Sequence, residues 1–419
     1  MAEKYDLAVV GLGYAGLPLV VAAARNGMRV AGYDVNDDRL TALAGGTSYV
    51  DDISDQEIAE ALGSGFTPSS DPEVIAAAAA VIICVPTPLR DAVPDLSAVL
   101  DAVRLVAPRL RPGALVVLES TTYPGTTTDV VLPLLAQGSR TVGEDFLLAF
   151  SPERIDPGNP AFGLHNTPKV VGGVTARCTE AATALYERVV QKVVTVSTPA
   201  AAELTKLLEN TYRQVNIALV NELAVYCDGL GVDVWEVVAA AATKPFGFQP
   251  FRPGPGVGGH CIPVDPGYLA FSGRASGFPL RLPELAQEVN DRMPAYVVDR
   301  VARLLDDRGR SVRGSRVLLL GATYKADIAD GRGSPAVPVA ELLLDRGALV
   351  RFHDPYLRTL RLRGRSLVRA ESLDAAVAEA DLVVLLQAHL DYDLAALADT
   401  APLLFDTTGR TVGARVAHL

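Results

Sequence analysis

The sequence predicts an α/β protein: two doubly wound, Rossmann-like domains joined by a helical central domain with a long helix. Three observations carry this reading. In the first half, short apolar runs alternate with helical patterns, the signature of βαβ units and a parallel sheet. From about residue 199 that texture gives way to one uninterrupted helical pattern, "PAAAELTKLLENTYRQVNIALVNELAVYCDGLGV". After the charged segment "DDRGRSVRGS" the strand–loop–helix–strand theme begins again. The expected domains are residues 1–198, 199–310 and 311–419.

The opening unit is "YDLAVVGLGYAGLPLVVAAARNGMRVAGYDV". An apolar strand runs into Gly11, Gly13 and Gly16, an Ala-rich helix closes near Gly27, and a second strand ends at Asp34. The glycines allow a tight turn, backbone approach to a pyrophosphate and close helix–sheet packing. The helix N-terminus offers unpaired N–H groups and the positive end of its dipole to the phosphates. An acid at the ribose position, followed by Val35 and Asn36 rather than arginine, favours NAD over NADP.

Three further strands break into polar loops: "VIICVPTP", "ALVVLESTTYPGTT" and "DFLLAFSPERIDPGN". Their polar groups follow strand C-termini, where open α/β sheets bind ligands. The long helix is apolar over more than one stripe (Leu204, Leu207, Leu208, Tyr212, Val215, Leu219, Leu223, Tyr226). It is therefore expected to lie between domains or in a dimer interface. In the closing segment, "RVLLLGATYKADIADGRGSPAVPVAELLLDRGALVRFHDP", "ADLVVLLQ" and "PLLFDTTGR" supply more strands. No GxGxxG follows its first strand, so a second dinucleotide is not expected there.

Composition narrows the function classes. Apolar residues make up 49% of the 419 and charged residues 21%, enough for sizeable cores and against extensive disorder. No apolar run reaches the roughly 20 residues that cross a bilayer, and a soluble, cytoplasmic protein without a signal peptide is expected. A net charge of −11 speaks against nucleic acid, which needs a basic face. The four cysteines, Cys84, Cys178, Cys227 and Cys261, form no CxxC pair, so neither a disulfide framework nor a zinc site is expected. Cys84 and Cys227 sit in apolar patterns and read as core. His165, His353, His389 and His418 show no ligand spacing, and Trp235 reads as a domain-interface anchor.

Two features carry chemistry. Lys206 and Asn210 stand four residues apart on the long helix and so share a face. An ammonium in so apolar a helix faces an anion more often than solvent. Cys261, in "GPGVGGHCIPVDPGYL", has three readings from its local stretch. It could be a small core hydrophobe, a metal ligand beside His260 but without a second Cys/His cluster, or a nucleophile reached through small residues, with Asp265 nearby.

The order of GLGYAG, VPTP, ESTTYPGTT, SPER, the K-x3-N helix, GGHCIPVDP and the K-x6-R of "KADIADGR" resembles the UDP-glucose/GDP-mannose dehydrogenase family over nearly the whole chain. The resemblance implies a four-electron oxidation of a nucleotide sugar's C6 hydroxyl to the uronic acid, with two NAD+, as in polysaccharide biosynthesis. It implies that Cys261 attacks the C6 aldehyde to form a thiohemiacetal, which is oxidised to a thioester and hydrolysed. Lys206 and Asn210 would hold the oxyanion, Asp265 would order water or aid proton transfer, and Glu153 would be the general base. Thr121 is similar to the family's threonine near nicotinamide and the reactive water. Cofactor contacts carry over to Gly11, Gly13, Gly16, Asp34, Arg39, Thr87, Thr121 and Arg332. Substrate contacts carry over to Glu153, Lys206, Asn210, Tyr324, Lys325 and Arg410, and to Arg252, which would act on the neighbouring subunit's site.

Two departures bear on the sugar. Val264 stands where glucose-type members carry lysine, and Pro157 where they carry glutamate. The wording "GHCIPVDP" and "SPERIDPGN" resembles the UDP-N-acetylhexosamine 6-dehydrogenase branch, in which Arg154 would also meet substrate. The expected partners are a nucleotide sugar and further copies of the chain in a homodimer or higher homo-oligomer, with no metal, membrane or nucleic acid. The alternatives are a UDP- or TDP-glucose 6-dehydrogenase of a polysaccharide or secondary-metabolite pathway, a two-electron β-hydroxyacid dehydrogenase, and an inactive NAD-binding protein.

Overall fold

The computed structural model describes residues 4–50, 52–156 and 158–419; Pro157 lies outside them. Two compact units emerge, Met1–Glu209 with Gly267–Pro279, and Asn210–Pro266 with Leu280–Leu419. The border runs through the long helix Pro199–Leu230 and the helix Asp265–Ala275.

The first unit is built on eight strands: β1 (Tyr5–Val10), β2 (Val30–Tyr33), β3 (Phe66–Ser69), β4 (Ala78–Ile83), β7 (Leu115–Leu118), β8 (Leu147–Phe150), β9 (Lys169–Gly173) and β10 (Val193–Thr195), with the short hairpin β5 (Leu89–Arg90) and β6 (Val93–Pro94) outside the sheet. The sheet order is β10-β9-β8-β7-β4-β1-β2-β3. Every pairing is parallel except β8 with β9, so β9 and β10 run against the rest. Alternation along a strand sends successive side chains to opposite faces. In β1, Leu7 and Val9 enter one core while Ala8 and Val10 enter the other. Both faces are covered by helices, which is why these strands are apolar throughout.

The second unit repeats the plan. Strands β11 (Arg316–Leu320), β12 (Leu349–His353), β15 (Leu382–Leu385), β16 (Leu404–Asp406) and β17 (Val416–His418) form a parallel sheet in the order β12-β11-β15-β16-β17. A separate hairpin is made by β13 (Thr359–Leu362) and β14 (Arg365–Val368). Val317 and Leu319 pack on one face, Leu318 and Leu320 on the other. The helix Arg281–Asp306 covers the first of these faces through Met293, Val297, Val301 and Leu305. The predicted doubly wound architecture with a long helix is what forms.

The long helix has 32 residues, about 48 Å at 1.5 Å per residue. Its expected burial is only partial: Leu204, Leu208, Tyr212, Leu219 and Tyr226 are exposed on the single chain. Cys84 and Cys227 are buried as expected. No helix among the described residues is long and apolar enough to cross a membrane.

Candidate active site

The glycine turn after β1 shows three separate uses of a missing side chain. Gly11 has a φ of +95°, and a Cβ there would stand 2.4 Å from the Cys84 carbonyl oxygen. A Cβ on Gly16 would stand 1.9 Å from the Gly11 oxygen, so the helix Gly16–Arg25 sits flush on the turn. At Gly13 a Cβ would meet nothing within 4 Å; the space is left for a ligand. No side chain caps the helix, which leaves first-turn N–H groups available to phosphate. Asp34 is buried at the end of β2 and accepts from Leu12 N at 2.8 Å and Asn36 N at 2.9 Å, with Arg39 at 3.4 Å. Tyr49, which sequence reasoning missed, donates to the Leu12 oxygen at 2.6 Å and lies under the Arg39 guanidinium. This donor set fits a dinucleotide: Gly13 and the helix end for the pyrophosphate, Asp34 for the ribose.

The loops after β4 and β7 carry Thr87 and Thr121, both half-buried. Ser120 stitches these loops together by accepting from Val85 N at 2.9 Å and donating to Val85 O at 2.8 Å. The Thr87 carbonyl accepts from the buried Tyr268 hydroxyl at 3.0 Å. One turn before Lys206, the buried carboxylate of Glu203 accepts from Gly125 N, Thr127 N and the Thr127 hydroxyl at 2.7, 2.9 and 2.7 Å. Glu203 thereby ties the Thr121 loop to the start of the long helix. Burial pushes its carboxyl up, against those hydrogen bonds. Lys206 is itself buried.

Glu153 follows β8. One of its oxygens accepts from the N–H groups of Arg154 and Ile155, both at 2.7 Å. The other lies 3.4 Å from the Lys169 ammonium. The Arg154 guanidinium grips Glu209 of the long helix with two bonds, at 2.6 and 3.2 Å, and also donates to the Pro168 carbonyl. That grip holds the Glu153 loop to the helix.

In the second unit, Asn210 Nδ2 donates to the buried Asp265 carboxylate at 2.5 Å. The Cys261 carbonyl accepts from Val264 N at 3.0 Å and Asp265 N at 2.8 Å, a turn that leads into the helix Asp265–Ala275. Cys261 is exposed, which removes the core reading. Three residues chosen from sequence, Asn210, Cys261 and Asp265, are thus brought together. The glycines before Cys261 have a role other than clearance for substrate. A Cβ on Gly258 would come 2.7 Å from Tyr324 Cβ and 3.0 Å from the Gly333 oxygen, and one on Gly259 would press the Tyr324 ring at 3.0 Å. The cysteine loop therefore lies flat on the Tyr324–Gly333 loop. It is also anchored by Gly254 N donating to Asn221 at 2.9 Å, and by Asn221 donating to Asn290 at 2.9 Å.

The loop that carries Tyr324, Lys325 and Arg332 is fixed from behind. The Thr323 hydroxyl donates to the Lys325 carbonyl at 2.7 Å, and Gln387 donates to the Tyr324 carbonyl at 3.1 Å. Buried His389 accepts from Asp327 N at 2.9 Å through Nδ1, and its Nε2 lies 3.0 Å from Asp354. Burial resists ionisation of Asp354, yet His389 and backbone N–H donors hold it below the usual carboxylate range. Arg332 grips Asp330 with Nε and one Nη of its guanidinium, at 2.6 to 3.0 Å. Arg410 follows a turn in which Asp406 accepts from Thr408, Arg410 and Thr411 backbone N–H groups. The Trp235 ring lies against Gly409 in that turn, where a Cβ would come within 2.3 Å of it. Arg252 is exposed. Among the described residues, no group of three or more His, Cys, Asp or Glu side chains is placed to hold a metal ion.

Glu119, Lys169, Tyr186 and Glu203 escaped sequence reasoning. Their partners lie tens of residues away in the chain, so no spacing betrays them; an unexplained lysine at the head of an apolar strand was the available signal.

Comparison with known proteins adds three family-model matches. The NAD binding domain of the UDP-glucose/GDP-mannose dehydrogenase family matches residues 5–190, its central domain 200–292, and its UDP binding domain 318–412. The chain is 38% identical to an NDP-N-acetyl-D-galactosaminuronic acid dehydrogenase from Ralstonia nicotianae, covering 92% of this chain and 91% of that one. It is 37% identical to a UDP-N-acetyl-D-glucosamine 6-dehydrogenase from Salmonella typhi, covering 86% and 84%. Among solved structures, a UDP-D-ManNAc dehydrogenase from Pyrococcus horikoshii superposes with a TM-score of 0.89 at 32% identity, covering 98% of both chains.

Proposed function

Because the chain belongs to the UDP-glucose/GDP-mannose dehydrogenase family, as an NAD-dependent nucleotide-sugar dehydrogenase, we propose that it oxidises a UDP-linked N-acetylhexosamine at C6 through Cys261. The observation that carries the Cys261 route is its exposed thiol one turn before Asp265, which is bonded to Asn210. The sugar rests on Val264 and on the N-acetylhexosamine names of the relatives; the glucose reading is not favoured.

Bound NAD+ supplies the hydride acceptor for each of the two oxidations, held by the Gly11–Gly16 turn, Asp34 and Arg39, with Thr87, Thr121 and Arg332 as further contacts. Cys261 as thiolate adds to the C6 aldehyde carbon. Capture prevents escape and gives the carbon the extra substituent without which it cannot lose a second hydride. Lys206 and Asn210 hold the oxyanion as preorganised donors. Asp265 orients Asn210. Glu153 takes a proton from water as its oxygen attacks the thioester and the Cys261 sulfur leaves. Lys325, Tyr324, Arg410 and Arg154 serve the nucleotide sugar in this reading, with Arg252 offered to a neighbouring subunit.

The three segments 1–198, 199–310 and 311–419 then divide the work into cofactor, catalytic helix with cysteine, and nucleotide sugar. We also propose a cytoplasmic homodimer. The exposed apolar face of the long helix, Leu204, Leu208, Tyr212, Leu219 and Tyr226, is larger than a solvated helix surface ordinarily carries.

A panel of UDP- and TDP-hexoses, with and without 2-acetamido groups, tests the substrate by NADH release. The expected result is two NADH per UDP-N-acetylhexosamine consumed and little turnover of UDP-glucose. Turnover confined to glucose nucleotides would refute the sugar assignment, and one NADH per substrate would refute the four-electron route.

A further inference from the structure

We propose that Lys169 is the positioning residue for Glu153: a buried ammonium that fixes, together with two backbone N–H groups, the carboxylate that attacks no substrate itself but deprotonates water. The inference rests on the general-base reading of Glu153 given above.

Lys169 opens β9 in "NTPKVVGG" and its side chain is 3% exposed. Lysine is almost never so buried unless it is paired, because an ammonium without acceptors is costly to remove from water. Its Nζ lies 3.0 Å from Glu119 and 3.4 Å from Glu153, with the Tyr186 ring 5.2 Å away. Glu119, at the end of β7, is fully buried and accepts from the Tyr186 hydroxyl, with the Cys84 thiol at 3.6 Å. Of this cluster, Glu153 is the most exposed member, at 18%. The arrangement is a buried base with one carboxylate facing outward.

The charges agree with the geometry. Burial pushes Glu119 up, against the pull of Lys169. Burial also works against the Lys169 ammonium, but Glu119 and then Glu153 more than offset it, so the lysine remains charged. Glu153 is held at both oxygens, one by Lys169 and the other by the Arg154 and Ile155 N–H groups. The Arg154 peptide is in turn fixed by the guanidinium's grip on Glu209. A base held at both ends presents its remaining lone pairs in one direction, which a rotating carboxylate does not. Lys169 touches neither water nor sugar in this scheme; it acts through Glu153 alone.

The test uses the E119Q enzyme as background, so that removing the ammonium does not strand a buried carboxylate. Stopped-flow NADH release is followed for E119Q, E119Q/K169M and E119Q/K169R with the nucleotide sugar that turns over. In E119Q/K169M the burst of two NADH per site is expected at the rate of E119Q. The steady rate that follows should fall about ten- to a hundredfold, part of the 10²–10⁴ that a positioned base contributes, with kcat/KM for the sugar unchanged because the steps before hydrolysis are untouched. E119Q/K169R keeps the cation and should recover most of the steady rate. K169Q in the wild-type background gives a second reading should the E119Q series fold poorly; the same selective loss is expected. An unchanged steady rate in E119Q/K169M or K169Q, or burst and steady phases slowed equally in them, overturns the proposal. E153Q separates the two readings. If E153Q hydrolyses its thioester at the wild-type rate, the base assignment itself fails. If E153Q stalls after the burst while E119Q/K169M and K169Q do not, only the role of Lys169 fails.

Discussion

Cys261→Ser is expected to lower net acid formation about a thousandfold or more, the scale on which loss of a catalytic nucleophile acts, and to leave NAD binding at its wild-type level. The two effects separate because the residues sit in different compact units. The glycine turn, Asp34 and Arg39 belong to the first, Cys261 to the second. The substitution changes one atom of an exposed residue, while the dinucleotide cradle is shaped by Asp34 and the Leu12 N–H. Serine keeps the size of the side chain but not its acidity, so it supplies no comparable nucleophile near neutral pH. Product acid formed at the wild-type rate by this variant, measured by NADH release together with chromatography of the sugar product, would mean that the second oxidation proceeds without a thioester.

Lys206→Ala is expected to cost about 10²–10³ in kcat, the range seen when one preorganised oxyanion donor is removed, with KM for the nucleotide sugar changed far less. An interaction made only with developing charge shows in kcat, and one made equally with ground state and transition state shows in KM. Lys206 is buried on a helix whose start is anchored by Glu203, so the backbone that carries it is in place before substrate arrives. A steady-state comparison of wild type and K206A therefore discriminates. A fall in kcat/KM that comes wholly from KM would make Lys206 a phosphate anchor.

Much of the fold was legible because its signals are local. The continuous apolar runs at Leu7–Val10 and Val317–Leu320, the glycines at 11, 13 and 16, and the apolar pattern of the 32-residue helix are each read from neighbouring residues. The reversal of β9 and β10 was not legible, since a strand's direction in the sheet depends on the path of its connection and not on its own residues. Nor was the hairpin β13–β14, which is short and mostly exposed.

The site divides the same way. Asn210 and Asp265 are 55 residues apart, yet each was named from its own motif, and the structure joins them. The cluster of Glu119, Lys169 and Tyr186 offered no motif; its members come from three strand or helix ends that only the folded sheet brings together. Arg154 and Arg332 show the converse. Their positions were legible, but not that each would be gripped by a carboxylate of this chain, Glu209 and Asp330. Burial resists ionisation of Asp330, and Arg332 nonetheless holds it below the usual carboxylate range. Gly258 and Gly259 carry the last lesson. Their sequence said only that side chains were unwelcome, and the Tyr324 ring and Gly333 supply the reason.

The central claim is that carbon from the substrate becomes bonded to the sulfur of Cys261. Its most direct measurement is the mass of the Cys261 peptide after acid quench of an E153Q reaction, in which hydrolysis of the intermediate is slowed. The expected result is an added mass on Cys261 equal to the nucleotide sugar's C6 acyl group, absent without NAD+ and released by hydroxylamine. NADH formation at two per site with the Cys261 peptide unmodified would contradict it.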